Sequence, residues 1–187
     1  MARPSTPRGQ GRTRVTVAAL ELFARRGVSG TSLQDIADHL GVTKAAVYYQ
    51  FRSKEEIVLA VVEDAFADLR GFVEEAEAEP TGRAATERAL VGLVDLMIAH
   101  RQAIAALILD PEVGRILESH PDLMALTDRL HALLVGPRSG LSRRVAASVV
   151  GSGLAHAGMD PDLADVSDAD LRRELLAVGR AVLLGQG

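Results

Sequence analysis

From Val15 onward the apolar residues of this chain recur at intervals of three and four, and no stretch alternates apolar and polar residues over a strand's length. A spacing near 3.6 lines one face of a helix, whereas a half-buried strand needs a period of 2. That restricts the chain to helical architectures. Val15, Ala18, Ala19, Leu22 and Phe23 form the first such face, and Gly27 stops it behind Arg25 and Arg26. Thr31 or Ser32 offers an N-cap to a short helix carrying Leu33, Ile36, Ala37 and Leu40, which ends at Gly41. Thr43 caps a third helix with Ala46 and Val47. Ser53, with Glu56 three residues later, is a capping-box pattern opening a long helix that runs towards Glu79 and ends at Pro80 and Gly82. Further helical stretches cover about 83–100, 102–109, 112–118, 121–135, 141–158 and 168–184, with Pro111, Pro121, Pro137 and Pro161 at the joints. The expectation is an all-α fold of about nine helices.

Composition narrows the function. Cysteine is absent, which excludes disulfides, thiolate zinc sites and cysteine nucleophiles, and suits a reducing cytosol. The longest apolar run, Ala103 to Leu109, is too short to span a bilayer, and residues 1–10 hold no apolar core of a signal peptide. A cytoplasmic protein is expected. The net charge of −4 is unevenly placed. Residues 1–54 hold nine Lys/Arg against three acids, a net of +6, and the remainder carries −10. A basic head on an acidic body is the electrostatic footprint of a polyanion partner at one end.

The turn Leu40-Gly41-Val42-Thr43 joins the second and third helices over the length that sets a helix-turn-helix angle, with small Ala37 at the crossing and Val47 facing inward. A generic helical hairpin has the same spacing. The longer string is more specific. Arg14-Val15, Ala18 to Gly27, Thr31 to Ala37 and Gly41 to Glu56 together resemble the N-terminal domain of the TetR family of bacterial regulators over about 45 residues. The remainder resembles that family in helix number and order.

The resemblance implies a DNA-binding domain over 1–54, with 1–9 a disordered arm, and a ligand-binding and dimerisation domain over 55–187. It implies that Thr43 and Lys44 meet phosphate and a base edge, that Ala45 and Ala46 face the groove, and that Tyr48 and Tyr49 reach backbone or bases. Thr31 and Ser32 would bind phosphate from the second helix. Arg12 would join a basic arm, in which Arg3 and Arg8 either enter the minor groove or stay in solvent. Lys54 would hold a phosphate at the start of the long helix, so that Lys54→Ala weakens binding to every sequence alike and lowers the salt slope by about one. Phe51 reads as core. Gln50 stands where the family often has His, and Ala45 where Gly or Pro is common.

Other motifs do not carry chemistry. Gly151-Ser152-Gly153 with His156 mimics a dinucleotide fingerprint but lies in helical sequence without βαβ alternation. Ala147, Gly151 and Ala155 instead form a smooth ridge, which with Leu175, Leu176, Val178, Val182 and Leu183 suits a four-helix homodimer interface. Asp160, Asp162, Asp165, Asp168 and Asp170 lack the Gly and Glu of an EF-hand, and no two histidines stand at i, i+4. Neither a metal site nor a cofactor nor an enzyme activity is expected.

The resemblance further implies a small, largely apolar effector held by Phe72, Leu93, Met97, His100, Ile104, Leu107, Met124, Thr127 and His131. Effector binding would release the homodimer of a repressor from a palindromic double-stranded DNA operator. A regulator of the same fold without a small-molecule ligand, controlled by a partner or acting as an activator, is the alternative.

Overall fold

A computed structural model describes residues 10–80, 82–137, 140–158 and 160–185; the arm over 1–9 lies outside them. The described residues form ten α-helices and one 3-10 turn, with no strand: α1 (Gln10–Arg26), α2 (Leu33–Leu40), α3 (Lys44–Gln50), α4 (Lys54–Ala78), α5 (Arg83–Ala99), α6 (Arg101–Leu107), α7 (Pro111–Glu118), α8 (Pro121–Val135), α9 (Leu141–Ala157) and α10 (Asp168–Leu183). No single helix among them is long and apolar enough to cross a membrane.

The chain divides into two compact units. The first unit takes residues 1–64 together with 106–116, and the second takes 65–105 and 117–187. In the first, α1 buries Val15, Ala18, Ala19, Leu22 and Phe23, the stripe its spacing dictates. Gly27 adopts φ 71° and its N–H donates to Phe23 O, closing α1 with the left-handed residue that glycine adopts without strain. Ser32, rather than Thr31, caps α2: its Oγ accepts the N–H of Asp35, whose carboxylate accepts the N–H of Ser32 in return. Gly41, at φ 64°, ends α2 and turns the chain into α3. At the start of α4 only half of the expected box forms, since Ser53 Oγ accepts from Glu56 N while Glu56 accepts from Arg52 N.

In the second unit α5 packs against α8, α9 and α10. Leu90 and Val94 of α5, Leu126 and Leu134 of α8, Val150 and Leu154 of α9 and Leu171 of α10 share its core. Fully buried Thr86 donates its hydroxyl to Leu133 O, so its burial leaves no polar atom unsatisfied. Arg143 donates to Val135 O and Leu183 O, and Arg83 to Leu184 O, satisfying carbonyls at the ends of α8 and α10. The approach of α10 to α5 depends on Gly179, where a Cβ would stand 2.6 Å from Leu90 Cδ1. Gly179→Ala is expected to lower stability by about 1–3 kcal/mol through overpacking, read as the shift in urea midpoint at unchanged slope.

Candidate nucleic-acid interface

α3 has one inward side chain. Val47 is fully buried, as is Phe51 just beyond the helix, and Thr43 caps it by accepting the N–H of Ala46 at 3.3 Å. Lys44, Ala45, Ala46, Tyr48 and Tyr49 are all exposed, Tyr49 by 78%. Ala45 and Tyr49, four residues apart, share the face opposite Val47. Lys44 Nζ stands 5.6 Å from the centre of the Tyr48 ring. A helix anchored by one residue, with two alanines in front and a lysine and two tyrosines beside them, has a small, rigid outer face. That is the profile of an element that enters the DNA major groove, where small side chains meet thymine methyls and longer ones meet base edges and phosphates.

Arg12 is placed behind this helix. Its guanidinium lies 4.1 Å from the centre of the Phe51 ring, and Nη1 donates to Gln50 O at 3.2 Å. It therefore satisfies a carbonyl at the end of α3 and holds α1 against it. Gln50 occupies the close approach at Gly11, where a Cβ would meet its amide nitrogen at 2.9 Å. Arg3 and Arg8 lie outside the described residues.

Thr31 requires a correction. It is 2% exposed and donates its hydroxyl to Gly27 O at 2.9 Å, so it closes the α1–α2 turn and presents nothing to a phosphate. Ser32 is exposed, but its hydroxyl hydrogen goes to Asp35 Oδ2 at 2.5 Å. These hydrogen bonds from Ser32, assisted by Arg26, hold the Asp35 carboxyl below its ordinary range.

Lys54 also differs from its expected placement. Its Nζ donates to Val28 O at 2.7 Å and to Glu112 Oε2 at 3.1 Å. Beside it, Asp110 Oδ2 accepts the N–H of Val28 at 2.7 Å, and Oδ1 accepts the N–H of Glu112 at 2.9 Å. Burial pushes the Asp110 carboxyl up, but backbone N–H groups of Glu112, Val28, Ser29 and Val113 outweigh it and hold the carboxyl below its ordinary value. A depressed carboxyl adds stability that is complete above the unfolded value, about 4 for aspartate, and is lost as pH falls through the folded one. Thermal melts of wild type and Asp110→Asn are therefore expected to differ at neutral pH and to approach one another as the pH falls below about 4.

Over the whole first unit the charge is less one-sided than over residues 1–54. Glu55, Glu56, Glu63, Asp64, Asp110 and Glu112 join it, with Arg115, leaving a net of +1. The positive character that matters for a polyanion is local, at exposed cations such as Lys44, for which no carboxylate partner stands among the described residues.

The residues expected around an effector are dispersed. Leu93 and Met97 lie in the core of the second unit, and Phe72 and Ile104 pack against it. His100 pairs through Nε2 with Asp68 at 2.7 Å. Thr127 is half-buried and donates to Met124 O. Leu107 belongs to the first unit. His131 and Met124 are exposed, so neither walls an enclosed cavity within the second unit: α8 turns Leu126 and Leu134 inward, which leaves 124 and 131 on its outer side. A groove of about 420 Å³ between α4 and α5 is lined by Phe72, Val91 and Leu96 with Asp68, Asp95 and Arg88.

The residues expected on a dimer ridge are divided between the core and the surface. Ala147, Ala155, Leu176 and Leu183 are buried and face the core of their own unit, whereas Leu175, also mostly buried, lines the groove between α9 and α10. Gly151 is half-buried, Val182 half-buried and Val178 60% exposed. The outward apolar stripe of α9 is Leu141, Val145 and Val149, at i, i+4, i+8. Sequence spacing contained that second stripe, yet could not say which of two apolar faces turns inward. With Val178 and Val182 of α10, Val149 lines an almost wholly apolar groove of about 430 Å³.

The profile of bacterial regulatory proteins of the tetR family matches residues 15–61, which contain α2, α3 and most of α1. The uncharacterized HTH-type transcriptional regulator YerO of Bacillus subtilis is 28% identical over 156 residues, covering 79% of this chain and 54% of YerO. The HTH-type transcriptional repressor KstR2 of Mycolicibacterium smegmatis is 27% identical over 168 residues, covering 90% of this chain and 74% of KstR2. The chain thus spans about half the length of the first relative and three quarters of the second. Among solved structures, the ketosteroid transcriptional regulator KstR2 of Mycobacterium tuberculosis superposes with a TM-score of 0.71 at 18% identity, covering 93% of each chain. That likeness concerns the fold.

Proposed function

We propose, from the match of residues 15–61 to the tetR family of bacterial regulatory proteins, that this chain is a cytoplasmic transcriptional repressor that binds a palindromic operator as a homodimer and is released by a small, largely apolar effector. The observation that carries the DNA reading is α3, whose exposed face of Lys44, Ala45, Ala46, Tyr48 and Tyr49 is backed only by Val47. Two such helices, one per protomer, read half-sites about 34–36 Å apart. Repressor is the role named for the KstR2 relative, and it accords with a head that needs only to occupy DNA.

The exposed face of α9 and α10 supports the homodimer. Val149, Val178, Val182 and Gly153 form a groove with little polar surface, and the neighbouring Leu141 and Val145 are 77% and 52% exposed. A second copy across a two-fold axis presents the same stripe and covers it with like surface. The effector reading rests on the groove between α4 and α5, lined by Phe72 and by Asp68, the partner of His100, and on the core behind it, which holds Leu93 and Met97 and against which Ile104 packs.

The test is selection of duplexes from a randomised library by the full chain, followed by titration with a panel of apolar metabolites. The expected result is a palindromic consensus whose complex dissociates with one class of compound. The same compound raises the melting temperature of the free protein, since it binds the folded state. Selection without any palindromic consensus contradicts the reading.

A further inference from the structure

The corner between α6 and α7 lies some fifty residues beyond the matched segment, yet it belongs to the first unit. Its contacts converge on one peptide. The N–H of Val28 donates to Asp110 Oδ2, and the carbonyl of Val28 accepts from Lys54 Nζ. Lys54 is in turn paired with Glu112, and both side chains are 23% exposed. Val28 is fully buried and sits in the α1–α2 turn, four residues before Ser32 caps α2. Gly27 makes room for the corner: a Cβ there would meet Asp110 Oδ2 at 3.0 Å, on a backbone already at φ 71°.

From this geometry we infer that Asp110 and Lys54 are positioning residues for DNA binding: they clamp the α1–α2 turn and thereby fix the N-terminus of α2, on which α3 is stacked. The inference rests on the DNA-binding reading and reassigns Lys54 from phosphate ligand to internal tie. The chemistry at 110 is restrictive. One oxygen faces the N–H of Val28 and the other the N–H of Glu112, so both must accept. An asparagine turns its NH2 group towards one of those donors and breaks that bond. Lys54 has three donors, of which two are engaged inside the unit, and its replacement leaves the carboxylate of Glu112 without its cation.

The experiment compares Lys54→Met and Asp110→Asn with wild type on a duplex of about 30 base pairs selected by the wild-type protein, over a salt series, with Lys44→Met as the phosphate-contact control. Lys54→Met keeps the aliphatic stem. The expected result is that both variants bind about ten- to a hundred-fold more weakly with the wild-type salt slope. Lys44→Met flattens that slope by about 0.9, the counterion release of one contact. Amide exchange at Val28 and Ser29 is expected to quicken in both positioning variants without DNA present. A flattened slope for Lys54→Met, unchanged affinity, or unchanged exchange at Val28 overturns the inference. Should Asp110→Asn fail to fold, Lys54→Met decides alone. If the wild-type protein binds no duplex, the functional reading fails and the inference falls with it, an outcome distinct from a wild type that binds and a variant that behaves as a phosphate ligand.

Discussion

Ala45→Glu is expected to weaken operator binding by about a hundred-fold or more while leaving the fold intact. Ala45 is exposed, in the first turn of α3, on the face opposite the buried Val47. A glutamate there suits the positive end of the helix, so neither packing nor propensity is damaged. At the surface of DNA the same carboxylate meets phosphates. Like charges across an interface cost several kcal/mol, and about 1.4 kcal/mol is tenfold in affinity. Circular dichroism and melting temperature should match wild type while the shifted band in a mobility assay disappears. A variant that binds as wild type does would remove α3 from the interface.

The second large effect concerns assembly. Val149→Glu with Val178→Glu is expected to give a folded monomer. These side chains are 58% and 60% exposed, so the protomer's own core does not depend on them. They line the apolar groove between α9 and α10, and burying four uncompensated carboxylates in the symmetric dimer is prohibitive. The operator then has to hold two independent heads, and the loss of linkage weakens binding by about a hundred- to ten-thousand-fold. Sedimentation equilibrium and operator titration measure the two consequences separately. Dimers that persist in the double variant would place the interface elsewhere.

Much of this was legible in the chain itself because helices write their own boundaries. Gly27 and Gly41 stop α1 and α2 with positive φ, Thr43 and Ser53 cap as their spacing predicts, and Val47 and Phe51 turn inward. What was not legible depended on which of two possibilities tertiary packing selects. Thr31 and Ser32 are both good caps, and burial under the α1–α2 turn took Thr31 out of solvent. Both faces of α9 are apolar, and the core of the second unit used Ala147 and Ala155, leaving Leu141, Val145 and Val149 outside. Asp110 carried no signal of its own in the sequence, because its Oδ2 binds a peptide 82 positions earlier, which no local pattern encodes.

The central claim is that α3, presented twice by a dimer, reads DNA. Equilibrium titration of the selected palindromic duplex with the full chain, at salt concentrations between about 50 and 200 mM, tests it most directly. The account predicts two protomers per duplex and an affinity that falls steeply and linearly on a logarithmic salt scale, with Ala45→Glu abolishing the complex at every salt concentration. No complex with any duplex at the lowest salt, or one that forms equally well with Ala45→Glu, would contradict it.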